Sequence, residues 1–374
     1  MRKLKVAIIF GGKSAEHEVS LQSARNVIDA LDRDRYEPVL IGIDKEGRWL
    51  LGDRSGFLLD ADDPSRIALA ASGDEVTFAP ESGGRLVPVA ARPAVPGPAP
   101  AGPALAGAAI DVAFPILHGP LGEDGTAQGF LRLAGIPFVG AGVLGSAVGM
   151  DKDVMKRLLR DAGIPVADFL ALRKHDPEPA WESVAERLGP VVFVKPANMG
   201  SSVGVSKVRS AAEFGDALEG AFRWDRKVLV EEFIEGRELE CAVLGNEAPE
   251  ASVVGEIRAN ADFYSYAAKY LDENGAALEI PAGLPEDVAR RARELALRTF
   301  RVLECEGLAR VDMFLRPDGG LVVNEINTMP GFTRISMYPK LWEASGVPYP
   351  ELVDRLIALA LERAERERAL STSR

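Results

Sequence analysis

Residues 310–327 read R-V-D-M-F-L-R-P-D-G-G-L-V-V-N-E-I-N, with T-M-P-G-F directly after them. Apolar and polar residues alternate on both sides of the turn Pro317-Asp318-Gly319-Gly320, the pattern of two strands joined as a hairpin. Strand side chains repeat with a period of two, so Arg310 and Asp312 leave the first strand on one face, and Glu325 and Asn327 leave the second on one face. Folding the hairpin gathers Asp312, Glu325 and Asn327, with Arg310 beside them. Oxygen donors without His or Cys describe a site for a hard cation, and Mg²⁺ in particular is shared between carboxylates and nucleotide phosphates. Taken alone, the same residues also fit a hairpin with solvated charges on its outer face. Val311, Met313, Leu315, Leu321, Val323 and Ile326 commit one face to a core, which favours acids lining a cleft.

The chain has 374 residues, enough for two or three domains with substantial cores. Its 44 basic and 56 acidic residues leave a net charge of −12, and no long Lys/Arg block appears. That composition argues against a nucleic-acid surface and requires positive charge to be concentrated locally if an anionic nucleotide is to bind. Cys241 and Cys305 stand in apolar settings and read as buried free thiols. No apolar run approaches a membrane span, and the run after M-R-K-L-K is too short for a signal segment, so a cytoplasmic protein is expected.

In chain order, residues 6–10 are a short apolar run ending at Gly11-Gly12, as for a strand buried on both faces of a parallel sheet. Ser20 reads as a helix cap, and Leu21, Ala24, Ile28 and Leu31 follow at helical spacing. Strands at 39–43 and 111–117 complete a doubly wound α/β unit. The text G-G-K-S-A-E-H-E is not G-x-G-x-x-G, which argues against a dinucleotide fingerprint. Residues 92–109, rich in Pro, Ala and Gly, read as an exposed loop. Helices are expected at 126–134, 151–162, 181–188, from 210, at 285–303 and from 349, where the closing E-R-A-E-R-E-R-A-L reads as a solvated, fraying end. Strands are expected at 191–194, 205–208, 228–234 and 239–244. The organisation predicted is a first domain over 1–140, a second over 141–230 and a third over 231–374.

V-F-V-K-P-A-N-M-G-S-S-V-G-V-S-K-V places Lys195 at a strand end before a loop of small residues. Gly200, Ser201, Ser202 and Gly204 allow backbone N–H groups close to an anion, and the lysine adds a point charge; a plain hairpin turn is the alternative. Lys152 opens a helix, where a cation opposes the dipole, so it either serves an anion or is a surface lysine. In V-L-V-E-E-F-I-E-G-R-E, Glu231, Phe233 and Ile234 are placed to offer backbone groups to an adenine edge, and Glu238 to take ribose hydroxyls.

Together G-G-K-S-A-E-H-E-V-S-L, L-H-G-P-L-G-E-D-G-T-A-Q-G, the Lys195 loop, A-A-K-Y, A-R-V-D and N-E-I-N-T-M-P-G-F resemble the D-alanine–D-alanine ligase family of the ATP-grasp superfamily, from Gly11 to Ser336. The resemblance implies an ATP-grasp fold, α/β with α+β in the ATP-binding part, behind a doubly wound parallel-sheet N-terminal domain. It implies that ATP phosphorylates a first D-alanine carboxylate, that a second amine attacks, and that a tetrahedral intermediate expels phosphate, for peptidoglycan precursor synthesis. It implies two Mg²⁺ ions, with Mn²⁺ as a substitute, two D-alanine molecules, no nucleic-acid or membrane partner, and a homodimer.

Carried over by residue, Lys152 and Lys195 would bind phosphate, Ser201 and Ser202 would sit in the flexible loop, and Glu231, Phe233, Ile234 and Glu238 would hold adenosine. Asp312, Glu325 and Asn327 would hold metal, and Arg310 would stabilise the acyl phosphate and oxyanion. Glu16 would take the first ammonium, and Gly331 and Ser336 the second carboxylate; His118 would lie near the first substrate or brace a loop. Tyr270 would close over the site with Ser201 and Glu16, and Lys269 would reach phosphate. Relatives that make D-alanyl-D-lactate carry Phe at the Tyr270 position, so Tyr points to an amine acceptor, with D-lactate or D-serine ligation as the alternative. Asn198-Met199 departs from the charged residues frequent in relatives.

Overall fold

The structure is a computed structural model that describes residues 2–52, 58–59, 67–69, 74–80, 82–89, 109–259, 276–333 and 335–371. Tyr270, Lys269 and nearly all of the 92–109 stretch lie outside the described residues.

The first part of the chain gives β1 (Leu4–Gly11), α1 (His17–Ala30), β2 (Tyr36–Ile43), β3 (Trp49–Gly52), the two-residue strands β4 (Leu58–Leu59) and β5 (Ala68–Leu69) of a separate ribbon, β6 (Asp74–Phe78), β7 (Leu86–Pro88) and β8 (Val112–Ile116). The sheet order is β7-β6-β3-β2-β1-β8. β1 is paired in parallel on both edges, to β2 and β8, which explains its unbroken apolar run. Beyond β2 the pairing turns antiparallel, so the long excursion before residue 111 supplies the outer half of this sheet. Ser20 does not cap α1. The helix starts at His17, and the Ser20 hydroxyl accepts from Gly11 N at 2.7 Å and donates to Ile116 O, tying β1 to β8 from inside the first turns.

α2 (Thr126–Leu133), α3 (Val143–Met150) and α4 (Lys152–Asp161) lead to a second sheet. It contains β9 (Phe169–Arg173), β10 (Val192–Pro196), β11 (Ser206–Val208) and β12 (Lys227–Glu232) in the order β11-β10-β12-β9, all antiparallel. α5 (Trp181–Leu188) and α6 (Ala211–Phe222) cover one face, closing a core that includes Val184, Val194, Phe214, Leu218 and Val230. β12 spans the expected division at 230/231 and belongs whole to this sheet.

The third sheet runs β15-β14-β13-β16-β17, from β13 (Arg237–Gly245), β14 (Glu250–Ala259), β15 (Ala276–Glu279), β16 (Gly307–Leu315) and β17 (Leu321–Asn327). α7 (Glu286–Val302) packs beneath it with Met155 and Leu159 of α4; buried Cys241 and Cys305 are free thiols in this core. α8 (Met337–Ala344) and α9 (Tyr349–Arg368) close the chain. One apolar cluster joins Phe10 and Phe114 of the first sheet to Phe332, Tyr338, Trp342 and Leu356, so the first and third sheets share a core. No helix among the described residues is long and apolar enough to cross a membrane.

The end of α9 does not fray. Helical spacing continues the buried face Leu356–Ala360 on to Arg363, whose guanidinium donates to Phe138 O at 2.7 Å and Gly140 O at 2.6 Å and lies 4.3 Å from the Phe138 ring centroid. Arg366 pairs with Glu306 at 2.7 Å and Glu247 at 2.7 Å. A run that reads as solvated charge thus latches the first lobe to the third sheet.

Candidate active site

The hairpin β16–β17 has the register expected from its alternation: Arg310 opposes Asn327 and Asp312 opposes Glu325. A bulge between Asp312 and Met313 leaves Asn324 as the extra residue of β17. The bulge turns Asn324 into the same cleft as Glu325, where its amide oxygen lies 3.5 Å from Lys195 Nζ. Arg310 donates to both Asp312 oxygens at 2.7 Å, and Asn327 Nδ2 donates to Asp312 at 3.0 Å.

Lys152 is the first residue of α4 and follows the cap Asp151, whose carboxylate accepts from Val154 N at 3.1 Å. Its ammonium reaches Met199 O at 2.8 Å and Glu325 at 3.3 Å, so it spans from the glycine-rich loop to the hairpin. Asp151 and Asp153 on either side are held by Lys227 at 2.6 and 3.1 Å, which leaves Lys152 to face the cleft. Lys195, near the end of β10, pairs with Glu231 at 2.7 Å. The other Glu231 oxygen lies 3.4 Å from Lys156, which is fully buried. Burial pushes the Lys156 ammonium down to about 8; Glu231 works against that fall and Lys195 adds to it. Glu231 itself stays below the usual carboxylate range, because the two lysines outweigh its burial.

Glu231 therefore plays a different part from the expected one. Its backbone sits inside the second sheet, opposite Phe193 and Phe169, and its carboxylate braces two lysines. The Phe233 N–H is likewise engaged, by Val191 O at 3.2 Å. Phe233 instead offers its exposed ring, 6.1 Å from Phe193 and under Lys207 Nζ at 4.1 Å. These side chains, with Ile234, Glu238 and Phe314, wall a cavity of about 420 Å³ that ends on Lys152, Lys195, Ser201, Ser202 and Glu325. That volume is within the range of small-ligand sites.

Ser201 and Ser202 hold φ of 51° and 60°, the left-handed region, which shapes the loop into a concave turn. The Ser201 hydroxyl donates to Glu16, at the N-terminus of α1, and closes this loop onto the first lobe. A second chamber of about 110 Å³ opens there, lined by Glu16, His118, Glu123, Arg310, Gly331 and Ser336 among others. Gly119 leaves room for Glu16: a Cβ at Gly119 would stand 2.9 Å from its Oε2, in a backbone conformation of φ +77°. Glu123 accepts from Gly119 N at 2.9 Å, and burial, with Glu16 nearby, pushes its carboxyl up to about 8. His118 contacts Met329 O through Nδ1 at 3.0 Å and Ser23 Oγ through Nε2 at 3.3 Å, and burial holds its pKa below the ordinary range. Ser23 also accepts from Phe332 N at 3.2 Å, so His118 both lines the chamber and braces the 329–332 loop. Ser336 accepts from Thr333 N at 3.0 Å, and a Cβ at Gly331 would stand 2.9 Å from its hydroxyl. The two cavities share Gly200, Ser201 and Glu325.

Asp312, Glu325 and Asn327 fit divalent cations. They are oxygen donors on one face, and the two acids pair with Arg310 and Lys152. Among the described residues no three His, Cys, Asp or Glu side chains gather tightly enough for one ion, so an ion held here would also need Asn327 and oxygens from phosphate or water.

Residues 5–141 match the family model described as D-ala D-ala ligase N-terminus, and residues 158–358 match D-ala D-ala ligase C-terminus. The chain belongs to the D-alanine–D-alanine ligase family. The D-alanine--D-alanine ligase A of Chromobacterium violaceum is 56% identical over 376 residues, covering 100% of this chain and 99% of the relative. Among solved structures, the D-alanine-D-alanine ligase of Coxiella burnetii matches with a TM-score of 0.80 at 38% identity, over 98% of this chain and 97% of that one. The VanG D-Ala:D-Ser ligase of Enterococcus faecalis matches with a TM-score of 0.81 at 35% identity, over 96% and 100%. The fold is the ATP-grasp fold of this family. Five residues that line or brace the two cavities were not legible in the sequence: Lys156, Phe193, Lys207, Glu240 and Asn324. Only Lys156 left a signal there, one helical turn after Lys152.

Proposed function

We propose that the chain is an ATP-dependent ligase that converts two D-alanines and ATP to D-alanyl-D-alanine, ADP and phosphate, for peptidoglycan precursor synthesis. One observation carries the reading: the long cavity and the small chamber meet at Gly200, Ser201 and Glu325, where a terminal phosphate would face an amino-acid carboxylate. The long cavity suits ATP, with aromatic and aliphatic walls at one end and lysines at the other. The order of groups in the small chamber suits the amino acids.

Glu16 binds the ammonium of the first D-alanine and turns its carboxylate toward the phosphate. Lys152 and Lys195 carry the charge on the phosphates, and in-line transfer needs little else from the protein beyond position. Asp312, Glu325 and Asn327 would hold two Mg²⁺ ions, or Mn²⁺, which neutralise charge on the transferred phosphoryl group. The second D-alanine, its carboxylate on Gly331 and Ser336, attacks the acyl phosphate carbon through its amine. Arg310 stabilises the oxyanion of the tetrahedral intermediate, which expels phosphate; such a donor is worth roughly 10²–10³ in rate. The family resemblance gives Tyr270 and Lys269, which lie outside the described residues, the roles of closing the chamber with Ser201 and of meeting the phosphate. The reading includes three lobes, a cytoplasmic location and a homodimer.

A second reading changes the acceptor to D-serine or D-lactate. It is favoured by the VanG D-Ala:D-Ser ligase structure, which matches this fold as well as a D-alanine-D-alanine ligase does, so backbone likeness does not select the acceptor. Tyr270 favours an amine acceptor over the hydroxyl of D-lactate and does not separate D-alanine from D-serine. Phosphate release with ATP, Mg²⁺ and D-alanine, followed by product analysis with D-alanine, D-serine and D-lactate in competition, tests both. Release that L-alanine supports equally well, with D-alanine inert, defeats the first reading; an ester as main product defeats the Tyr270 argument.

A further inference from the structure

In the third sheet Glu240 of β13 lies opposite Asp312 of β16, which lies opposite Glu325 of β17. Opposed residues on neighbouring strands project to the same face, so three carboxylates cross the floor of the cleft in one row. Two belong to the cation set. Glu240 does not, yet its side chain is buried and lines the small chamber. The Arg310 guanidinium stands between two acids of this row: Nε is 2.9 Å from Glu240 Oε2 and 2.7 Å from Asp312 Oδ1, while Nη2 is 2.7 Å from Asp312 Oδ2.

We propose that Glu240 is the positioning residue that keeps Arg310 over the small chamber when Asp312 turns to a divalent cation. The inference rests on the ligase reading for the roles of Arg310 and Asp312. Asp312 holds both of its oxygens against the guanidinium, and the same two oxygens are what it can offer an ion. A cation that takes them loosens Arg310 at the moment its charge is needed on the acyl group. Glu240 supplies a second anchor from the neighbouring strand, so the guanidinium need not follow Asp312 or drift into the chamber. The same anchor lowers the competition at Asp312: with Glu240 gone, Arg310 has one carboxylate left in this row, and the cation must displace it. Glu240 acts through Arg310 and Asp312 and touches neither the transferred phosphate nor its acceptor.

Glu240→Ala and Glu240→Gln in the full chain test this. Free Mn²⁺ measured by electron paramagnetic resonance in the presence of ADP reads cation binding without turnover, and steady-state kinetics read the D-alanine step. Alanine should weaken Mn²⁺ binding about tenfold and lower kcat/KM for D-alanine about 10- to 100-fold, the usual effect of removing an outer-shell partner. KM for ATP should hold within about threefold, because the lysines and the aromatic wall are untouched. Glutamine keeps the shape of the side chain without its charge. Glu240 Oε2 meets Arg310 Nε as an ion pair while the Nε hydrogen is directed at Asp312, so glutamine should recover only part of either loss and leave a measurable deficit in Mn²⁺ affinity. Parental Mn²⁺ binding and D-alanine kinetics in the folded alanine variant overturn the proposal. Should alanine fail to fold, glutamine with parental Mn²⁺ affinity overturns it. A parent protein without D-alanine-dependent phosphate release would defeat the ligase reading and leave the Mn²⁺ result to judge Glu240 separately.

Discussion

Replacing Glu231 by glutamine removes one negative charge from between two buried lysines while keeping the shape of the side chain. Lys156 and Lys195 lie 3.4 and 2.7 Å from that carboxylate. Were both to stay charged, the uncompensated charge would cost roughly 3–5 kcal/mol. A cheaper escape exists. Lys156 titrates near 8 in the parent, so dropping its proton at pH 7 costs only about 1.4 kcal/mol. The escape wins, and Glu231→Gln should cost about 2–3 kcal/mol at pH 7 once the weaker bond to Lys195 is added. That corresponds to a fall of several degrees in melting temperature.

The pH dependence follows in sign. The folded Lys156 pKa lies below its unfolded value of 10.5, so its burial penalty is fully present below about 8 and is relieved as pH rises toward 10.5. In the variant the folded pKa is lower still and relief starts earlier. The stability gap between parent and variant should therefore be widest near pH 6–7 and shrink toward pH 9, where the parent's Lys156 is itself neutral. KM for ATP should rise about tenfold, since Lys195 loses its charged brace. Thermal denaturation from pH 6 to 9 and ATP kinetics at pH 7 are the assays. A gap that widens with pH, or equal melting temperatures with an unchanged KM, refutes the buried-triad reasoning.

Glu325→Ala should cut D-alanine-dependent phosphate release by about 100-fold or more with the circular dichroism spectrum intact; a parental rate would dismiss the cation assignment. Arg363→Met leaves Phe138 O and Gly140 O without their donor and should lower stability by about 2–4 kcal/mol, read as a lower melting temperature. Rate per folded molecule should survive that change, and unchanged melting would mean the latch carries no load. Tyr270→Phe should raise the ratio of hydroxy-acid to amino-acid acceptors used, measured by product analysis in competition, and a constant ratio removes Tyr270 from acceptor choice.

The hairpin at 310–327 was legible because its information is local. Alternation fixes which side chains share a face and the Pro-Asp-Gly-Gly turn fixes which residues meet, so Arg310, Asp312, Glu325 and Asn327 needed no other part of the chain. The glycine-rich loop after Lys195 and the helix opened by Lys152 were legible for the same reason. Less visible was the fate of charges whose partners lie far along the chain. Glu231 looked like a backbone contributor, but the second sheet occupies its backbone and two lysines claim its carboxylate. Ser20 looked like a cap and is a tie between strands; the terminal E-R repeat looked solvated and carries a buried arginine.

What the sequence determined alone was the set of short-range geometries: strand faces, helix faces, the turn, and the motif order that identifies the family. Tertiary structure decided that Arg310 stands between Glu240 and Asp312, how a bulge brings Asn324 into the cleft, and that two cavities meet at Glu325. The division has a physical cause. Backbone periodicity acts over a few residues, whereas the energy of a buried charge depends on whichever opposite charge the packing of distant segments delivers to within about 3 Å.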